Sequence, residues 1–199
     1  MITMIKSGYT KILRLFYENK KESFHLREIA RKTGLYANSV MRFLNQLKKE
    51  GILTYKKEGN LKKYKINNSE KIANIFASFD IERLNKLPLK RKRAINYFID
   101  KLPEKPVIIL LFGSTAKETF KKDSDIDLIL IVNRKTNADK AKDYVDAQVG
   151  IRINCFQIAY NEFLKEIKLK EDKVIQSALN TGYPIFNHML FYEVYLNEN

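Results

Sequence analysis

The spacing of apolar residues in the first third of the chain predicts three helices followed by two strands. The predicted helices cover residues 9–17, 26–32 and 37–50, and the predicted strands cover residues 52–56 and 63–67. In the third helix Val40, Phe43, Leu44 and Leu47 share one face, and the opposite face is polar. Glycine and asparagine at residues 58–60 favour a turn between the strands. The predicted order is therefore three helices and a hairpin.

The middle of the chain predicts two longer helices. The first covers residues 69–87 and carries one apolar stripe, and the second covers residues 89–101 after Pro88. The stripe packs on one of the flanking domains or pairs two copies of the chain as a homodimer, and the spacing does not decide between these. A basic run at residues 90–93 is typical of a solvated helix end, with phosphate contact as the alternative.

The last part of the chain alternates predicted strands and helices around one apolar run. Residues 107–112 are all apolar and lie between Pro106 and Gly113, which indicates a strand buried on both faces. Further strands are predicted at residues 125–132, 150–159 and 183–186, the last at a sheet edge, and helices at residues 115–120, 137–146, 161–168 and 173–179. This mixture predicts a mixed sheet with flanking helices.

The composition excludes several classes of protein. Of the 199 residues 45% are hydrophobic, so the chain is able to bury a core and is not a disordered basic tail. Its apolar runs are far shorter than the ~20 residues that cross a bilayer, so we expect no membrane partner. Cys155 is the one cysteine and nothing at the start resembles an export signal, which predicts a reducing, cytoplasmic location.

Positive charge is concentrated in the first half of the chain. The net charge is +14, of which residues 1–66 carry +11 and residues 67–106 carry +4, whereas residues 107–199 carry −1. A local positive field of this kind attracts a polyanion, and the alternative is a lysine-rich surface that aids solubility. The split indicates two domains with different partners.

The polar face of the third predicted helix and the lysines of the hairpin are candidates for contact with duplex DNA. The segment HLREIARKTGLYANSVMRFLNQLKKEGIL, residues 25–53, resembles the winged helix-turn-helix domains of bacterial and archaeal transcription regulators. The resemblance covers about residues 7–67 and implies a helix in the major groove. Base edges or phosphates would then contact Asn38, Ser39, Arg42 and Gln46, and phosphates would contact Lys56, Lys57, Lys62 and Lys63. The alternative is a module that docks a protein partner.

A second group of candidate residues surrounds the apolar strand at residues 107–112. Gly113 and Ser114 turn the chain, and backbone N–H groups there, with the Ser114 hydroxyl, suit a nucleotide phosphate. Asp125 and Asp127 begin the next strand, where residues two apart point to one face about 7 Å from each other. Two carboxylates beside a phosphate-binding turn predict a divalent-metal site.

The combination of these elements is more specific than either alone. The segment VIILLFGSTAKETFKKDSDIDLILIV, residues 107–132, resembles the nucleotidyltransferase superfamily of DNA polymerase beta, in particular its small archaeal and bacterial members. The resemblance spans about residues 105–187. It implies that Gly113 and Ser114 hold a nucleoside triphosphate, and that Asp125 and Asp127 are catalytic and carry Mg²⁺ or Mn²⁺.

Two positions depart from the pattern of that family. Glu118 stands where the family usually has glycine, and it adds negative charge near the proposed phosphates. Active members usually supply a third carboxylate from a later strand, but here Arg152 or Asn154 occupies the expected place. Neither side chain acts as a carboxylate base. Asp146 is the alternative source of the third carboxylate.

The sequence thus predicts a two-domain α+β protein. We expect a winged helix-turn-helix domain at residues 1–67, a helical connector at residues 68–104 and a nucleotidyltransferase-like domain at residues 105–199. One functional hypothesis is nucleotidyl transfer from a nucleoside triphosphate with Mg²⁺, combined with DNA binding. The other is a DNA-binding transcriptional regulator whose nucleotidyltransferase-like domain is catalytically degenerate and binds nucleotide or serves assembly.

Overall fold

The computed structural model describes residues 7–197 and divides them into two compact units. The first unit ends at Phe76 and the second begins at Ala77. Residues 1–6 and 198–199, at the outer ends of the two predicted domains, lie outside the described residues. Each unit is considered by itself below.

The first unit is a winged helix-turn-helix. Its elements are helix α1 (Ser7–Glu18), strand β1 (Phe24–His25), helices α2 (Leu26–Thr33) and α3 (Ala37–Lys49), and strands β2 (Leu53–Glu58) and β3 (Leu61–Ile66). The strands form an antiparallel sheet in the order β1-β3-β2. The predicted helices and hairpin are confirmed, and β1 is an addition, because two residues are too few to show a periodicity.

The core of this unit is made by the apolar faces that the sequence indicated. Ile12, Phe16, Ile29, Val40 and Leu44 are each fully buried. The carboxylate of Glu28 accepts a hydrogen bond from the backbone N–H of His25 at 2.8 Å, which satisfies a free donor at the start of α2. Because the apolar face of α3 is buried in this core, the polar face of α3 is exposed.

The two helices predicted in the middle of the chain are present in the structure. Helix α4 (Glu70–Lys86) crosses the division between the units, and its apolar residues Ile72 and Phe76 are fully buried. Helix α5 (Leu89–Lys101) lies in the second unit, where Phe98 is fully buried in the same apolar cluster as the strands of the sheet. The division between the two units thus falls inside α4, and the segments 1–67, 68–104 and 105–199 remain a prediction of domain bounds.

The apolar stripe for which the sequence left a homodimer open is largely buried in the chain itself, at Ile72, Phe76 and Phe79. Helical spacing shows which face of a helix is apolar but not what covers that face. Because the stripe is buried in the described chain, it provides no argument for pairing two copies.

The second unit is an α+β fold around a four-stranded mixed sheet. After α5 its elements are strand β4 (Ile108–Phe112), helix α6 (Gly113–Ala116), strand β5 (Ile126–Val132), helix α7 (Asp139–Val149), strand β6 (Ile153–Ala159), helices α8 (Tyr160–Leu169) and α9 (Lys173–Thr181), strand β7 (Tyr183–Phe186) and helix α10 (His188–Asn197). The strand order is β6-β5-β4-β7. Strands β5 and β6 are parallel, and the other neighbours are antiparallel.

Both faces of the sheet are covered. Leu128 and Leu130 of β5 join one apolar cluster with residues of α5 and α7, while Ile129 and Ile131 are fully buried outside that cluster. Helices α8, α9 and α10 also contact the strands. The ends of the central strands, where the acidic residues lie, remain partly accessible.

Some element boundaries differ from the prediction. The helix expected at residues 115–120 is the single turn α6, which begins at Gly113 and is followed by a loop to Asp125. Helix α10 was not predicted, because its sequence HMLFYEVYLN is apolar on most sides and has no polar face to reveal the period. Among the described residues no helix is long and apolar enough to span a bilayer.

We expect that replacing Phe98 with alanine will strongly destabilise the second unit. Phe98 is fully buried, and truncating a buried phenylalanine costs about 3–5 kcal/mol. Chemical denaturation monitored by circular dichroism measures the change, with Asn96→Ala on the exposed face of the same helix as the control. Equal stability of the two variants would contradict the placement of α5 in the core.

Candidate functional site

Asp125 and Asp127 are brought together on one face of the sheet. Asp127 lies in β5, and its strand partners are Phe112 at the end of β4 and Asn154 in β6. The amide nitrogen Nδ2 of Asn154 donates to Oδ2 of Asp125 at 3.1 Å and to Oδ1 of Asp127 at 3.2 Å. One amide group therefore reaches both carboxylates, as the alternation along a strand requires.

Asn154 occupies the place next to the two carboxylates, which the sequence left open among three residues. Arg152 precedes β6 and Asp146 lies in α7, and both line the cavity beside Asn154, whereas Asn154 hydrogen-bonds to both aspartates. The cause is the parallel register, which sets Asn154 directly beside Asp127. The third side chain of this cluster is thus an amide and not a carboxylate.

The backbone of Gly113 packs against the carboxylate of Asp127. Gly113 has a left-handed φ of 68°, and a Cβ atom built there would overlap Oδ2 of Asp127. Both facts require glycine, because other residues rarely adopt this conformation and have no room for a side chain. The turn that carries Gly113 and Ser114 is consequently adjacent to the carboxylates.

A buried arginine links that turn to the loop before β5. Arg91 in α5 is 3% exposed, and its Nη1 donates to Oγ1 of Thr115 at 2.8 Å. Its Nη2 donates to the carbonyl oxygens of Ser124 at 2.8 Å and Lys121 at 3.1 Å. Nη1 also lies 3.5 Å from the carbonyl oxygen of Asp125. Burial lowers the pKa of Arg91, and the negative charges of Asp125 and Asp127 oppose that shift.

The expectation that residues 90–93 form a solvated helix end is therefore wrong for Arg91. The sequence does contain a signal for its burial, because Arg91, Ala94, Ile95 and Phe98 follow the spacing of one helix face. Lys90 and Arg93 are exposed, as expected. Arg91 belongs both to the charged run at residues 90–93 and to the buried face of α5.

Glu118 has a left-handed backbone conformation, which glycine adopts more easily than other residues. This accounts for the glycine that the resembling family usually has at this position. The φ angle of Glu118 is 58°, in the left-handed region, and its side chain is exposed. The turn is closed by hydrogen bonds from Glu118 N to Thr115 O at 3.3 Å and from Thr119 N to Ser114 O at 3.0 Å. The glutamate therefore carries a backbone cost that glycine does not.

A cavity of about 480 Å³ lies beside Asn154. Its lining combines aromatic, basic and acidic side chains, namely Phe112 and Phe156, Lys142 and Arg152, and Asp143 and Asp146. Cys155 also lines it, and burial raises the pKa of its thiol, which disfavours the thiolate that a nucleophile needs. Burial lowers the pKa of the His188 imidazole, and that residue is not part of this cluster.

The donor set at the two aspartates fits a hard divalent cation. The two carboxylates are oxygen ligands of the kind that Mg²⁺ prefers, and the amide of Asn154 holds them side by side. Among residues 7–197 no group of three histidine, cysteine or acidic side chains could hold a metal ion. A cation here would therefore take its remaining ligands from a bound phosphate or from water.

The predicted DNA-contacting residues lie on the exposed side of α3 and on the hairpin. Asn38, Arg42 and Gln46 are exposed and Ser39 is partly exposed. The amide of Gln46 donates to Oε1 of Glu50 at 2.7 Å, so it is engaged within the helix. The same surface exposes two residues that the sequence analysis did not include, Tyr36 at 88% and Met41 at 48%.

The hairpin lysines form two directly opposed pairs. Lys56 faces Lys63 and Lys57 faces Lys62 across the antiparallel register. Nζ of Lys63 lies 3.5 Å from Oε1 of Glu58, which neutralises part of this charge. Like charges directly opposite each other destabilise a hairpin, and a bound polyanion would relieve that repulsion.

Comparison with known proteins agrees with both units. Residues 91–184 match the family model described as the nucleotidyltransferase domain, and residues 10–57 match the model described as the IclR helix-turn-helix domain. The chain combines a nucleotidyltransferase domain with a helix-turn-helix domain. This confirms the two-part architecture that the sequence predicted.

The nucleotidyltransferase match begins at Arg91 in α5 and ends in β7, so it includes both the turn at Gly113 and the aspartates. No curated protein matches the chain significantly.

One solved structure with a similar segment is described as a possible transcriptional regulatory protein, fragment 1-100, from Mycobacterium bovis. It is 24% identical, and the match covers 39% of this chain and 80% of that chain with a TM-score of 0.33.

Replacing Glu118 with glycine should stabilise the protein. A non-glycine residue in the left-handed region costs roughly 1–2 kcal/mol, and the added freedom of glycine in the unfolded chain offsets about 0.5–1 kcal/mol of that gain. The matched control is Lys117→Gly, where φ is −80° and glycine brings only the entropic loss. Thermal unfolding measures both, and equal destabilisation of the two variants would refute the strain at Glu118.

Proposed function

We propose that this protein is a divalent-cation-dependent nucleotidyltransferase that also binds duplex DNA through its helix-turn-helix domain. The observation that carries the enzymatic part is the convergence of Asp125, Asp127 and Asn154 beside the turn at Gly113. Nucleotidyl transfer needs a triphosphate and a cation at the same place, and these groups suit both. The match to a nucleotidyltransferase domain supports the reaction class.

The turn at Gly113 and Ser114 would hold the triphosphate. Because Gly113 has no side chain, the carboxylate of Asp127 packs directly against the turn, and the Ser114 hydroxyl beside it offers a donor to a phosphate. A hydroxyl oxygen of the acceptor attacks the α-phosphorus, the bond to the bridging oxygen breaks, and pyrophosphate leaves. The acceptor proton passes to water, since Asn154 has no basic group to receive it.

Asp125 and Asp127 would hold the cation, Mg²⁺ or Mn²⁺, with Asn154 beside them. Such a cation supplies charge neutralisation for the triphosphate and for the phosphorus under attack. The amide of Asn154 orients both carboxylates toward one point through its two hydrogen bonds. A carboxylate at this position would hold a second cation or take the acceptor proton more effectively.

The second candidate function is a DNA-binding regulator whose nucleotidyltransferase domain binds nucleotide without transferring it. The amide at Asn154 favours this alternative, because it removes the third negative charge from the site. In that case the triphosphate would act as a ligand and not as a substrate. The two candidates differ in whether any transfer occurs, and they share the binding site.

The DNA-binding part rests on the helix-turn-helix domain and on charge. The exposed face of α3 and the opposed lysine pairs of the hairpin lie in the segment that carries +11, and a polyanion is the partner that such a field favours. If no DNA binds, the remaining interpretation is that this domain docks a protein partner. The helix would contact base edges, and the hairpin would contact phosphates.

Transfer is tested with α-labelled ATP, CTP, GTP and UTP, Mg²⁺ or Mn²⁺, and total RNA or the protein itself as acceptor. We expect Asp127→Asn to lower transfer about 100-fold or more, because a lost metal carboxylate removes several kcal/mol of transition-state stabilisation. The control is Asp123→Asn, an exposed residue of the preceding loop. Calorimetric binding of MgATP by the parent protein without any transfer would favour the regulator.

Asn154→Asp should raise the rate of transfer in the same assay. The substitution places a carboxylate directly beside Asp127 without a change in side-chain size. A base or second-cation ligand at this point is expected to contribute about 10²–10⁴-fold. If the variant binds Mn²⁺ more tightly but transfers no faster, the amide is not what limits the chemistry.

DNA binding should fall steeply with salt. The logarithm of the association constant is expected to decrease linearly with the logarithm of salt concentration. Lys56→Ala with Lys57→Ala should weaken all duplexes about equally, whereas Arg42→Ala should weaken a preferred duplex most. Fluorescence anisotropy with labelled duplexes measures this, and Lys140→Ala with Lys165→Ala, both exposed in the second unit, is the control.

A further inference from the structure

Arg91 is a buried charge whose hydrogen bonds go to the two segments that carry the candidate site. A guanidinium that is 3% exposed is costly unless its donors are satisfied. One acceptor, Oγ1 of Thr115, follows Ser114 directly. Two other acceptors, the carbonyl oxygens of Lys121 and Ser124, lie in the loop that ends at Asp125.

Thr115 is in α6, whereas the loop carbonyls lie six and nine residues later, just before β5. The Thr115 hydroxyl itself donates to the carbonyl oxygen of Asp125 at 3.4 Å, and the guanidinium adds three shorter hydrogen bonds to the same two segments. The planar guanidinium spans them, and its carbon lies 4.1 Å from the centre of the Phe120 ring in the same loop. A planar group with five donors in a rigid fork is suited to such a link.

We propose that Arg91 is a positioning residue that holds the phosphate turn and the carboxylate strand together for binding of a cation–triphosphate complex. The inference rests on the proposed nucleotide site and adds a requirement to it. Arg91 does not touch the ligand, since it is buried behind Thr115. It acts through the placement of Ser114 and Asp125 and through its positive charge behind the two aspartates.

The charge of Arg91 makes the effect depend on which ligand binds. A positive charge behind Asp125 and Asp127 disfavours a bare cation but favours a cation–triphosphate complex, whose net charge is negative. Loss of positioning weakens binding of both ligands. Removal of Arg91 should therefore weaken the complex more than the bare cation, a difference that general destabilisation does not produce.

The probes are Mn²⁺ alone and Mn²⁺ with inorganic tripolyphosphate, titrated by calorimetry against the full chain well below its unfolding temperature. We expect Arg91→Met to weaken binding of the tripolyphosphate complex about 10- to 100-fold, the range seen when a group supporting metal ligands is lost. The loss for Mn²⁺ alone should be smaller. Arg91→Lys should recover only part of the affinity, because an ammonium lacks the planar fork.

Two controls separate positioning from stability and from overall charge. Ile95→Val creates a small cavity in the same helix and lowers stability without touching Thr115 or the loop. Arg93→Met removes the same charge from an exposed position two residues away. Neither control should change the affinity for either probe.

Thr115→Val serves if Arg91→Met fails to fold. It keeps the side-chain shape and removes the hydroxyl that accepts from Arg91 at 2.8 Å. We expect weaker binding of the tripolyphosphate complex in this variant as well. Unchanged affinity in folded Arg91→Met or in Thr115→Val overturns the role of Arg91 while the nucleotide site stands. Absence of binding by the parent protein overturns the proposed nucleotide site itself.

Discussion

The repulsion between the carboxylates of Asp125 and Asp127 is the constraint on which the second unit depends. Two negative charges on one face of a sheet are unfavourable unless nearby groups offset them. The amide of Asn154 donates to both carboxylates, and the buried guanidinium of Arg91 lies behind them. The fold thus assembles donors and positive charge at the end of the sheet where the acidic strand begins, which is where we propose that a cation binds.

The architecture explains why these groups meet. The carboxylates lie at the start of β5, Phe112 and the glycine turn at the end of antiparallel β4, and Asn154 near the start of parallel β6. Because β4 is antiparallel to β5 and β6 is parallel to it, the end of β4 and the starts of β5 and β6 lie at the same end of the sheet. Helix α5 then contributes Arg91 from outside the sheet. Four elements therefore build a site that no single segment contains.

The two units divide the chemistry as they divide the charge. The helix-turn-helix unit carries the excess of lysine and arginine, and the opposed lysine pairs of its hairpin store repulsion that a polyanion would relieve. Residues 107–199 of the nucleotidyltransferase unit carry −1, and basic and acidic side chains together line the cavity beside Asn154. This difference in charge supports the proposal that the two units bind separate partners.

The local pattern of residues determined much of the fold and the main candidates of the site. Apolar periodicity identified the helices and the hairpin of the first unit, and the spacing of Gly113, Ser114, Asp125 and Asp127 identified the turn and the acidic strand. These features depend on neighbours within a few residues, so the sequence shows them directly. The tertiary structure alone decided that Asn154 faces both aspartates, that Arg91 is buried, and that α5 packs in the core of the second unit. Those outcomes depend on strand register and on what covers an apolar face, and both are contacts between residues far apart in the chain.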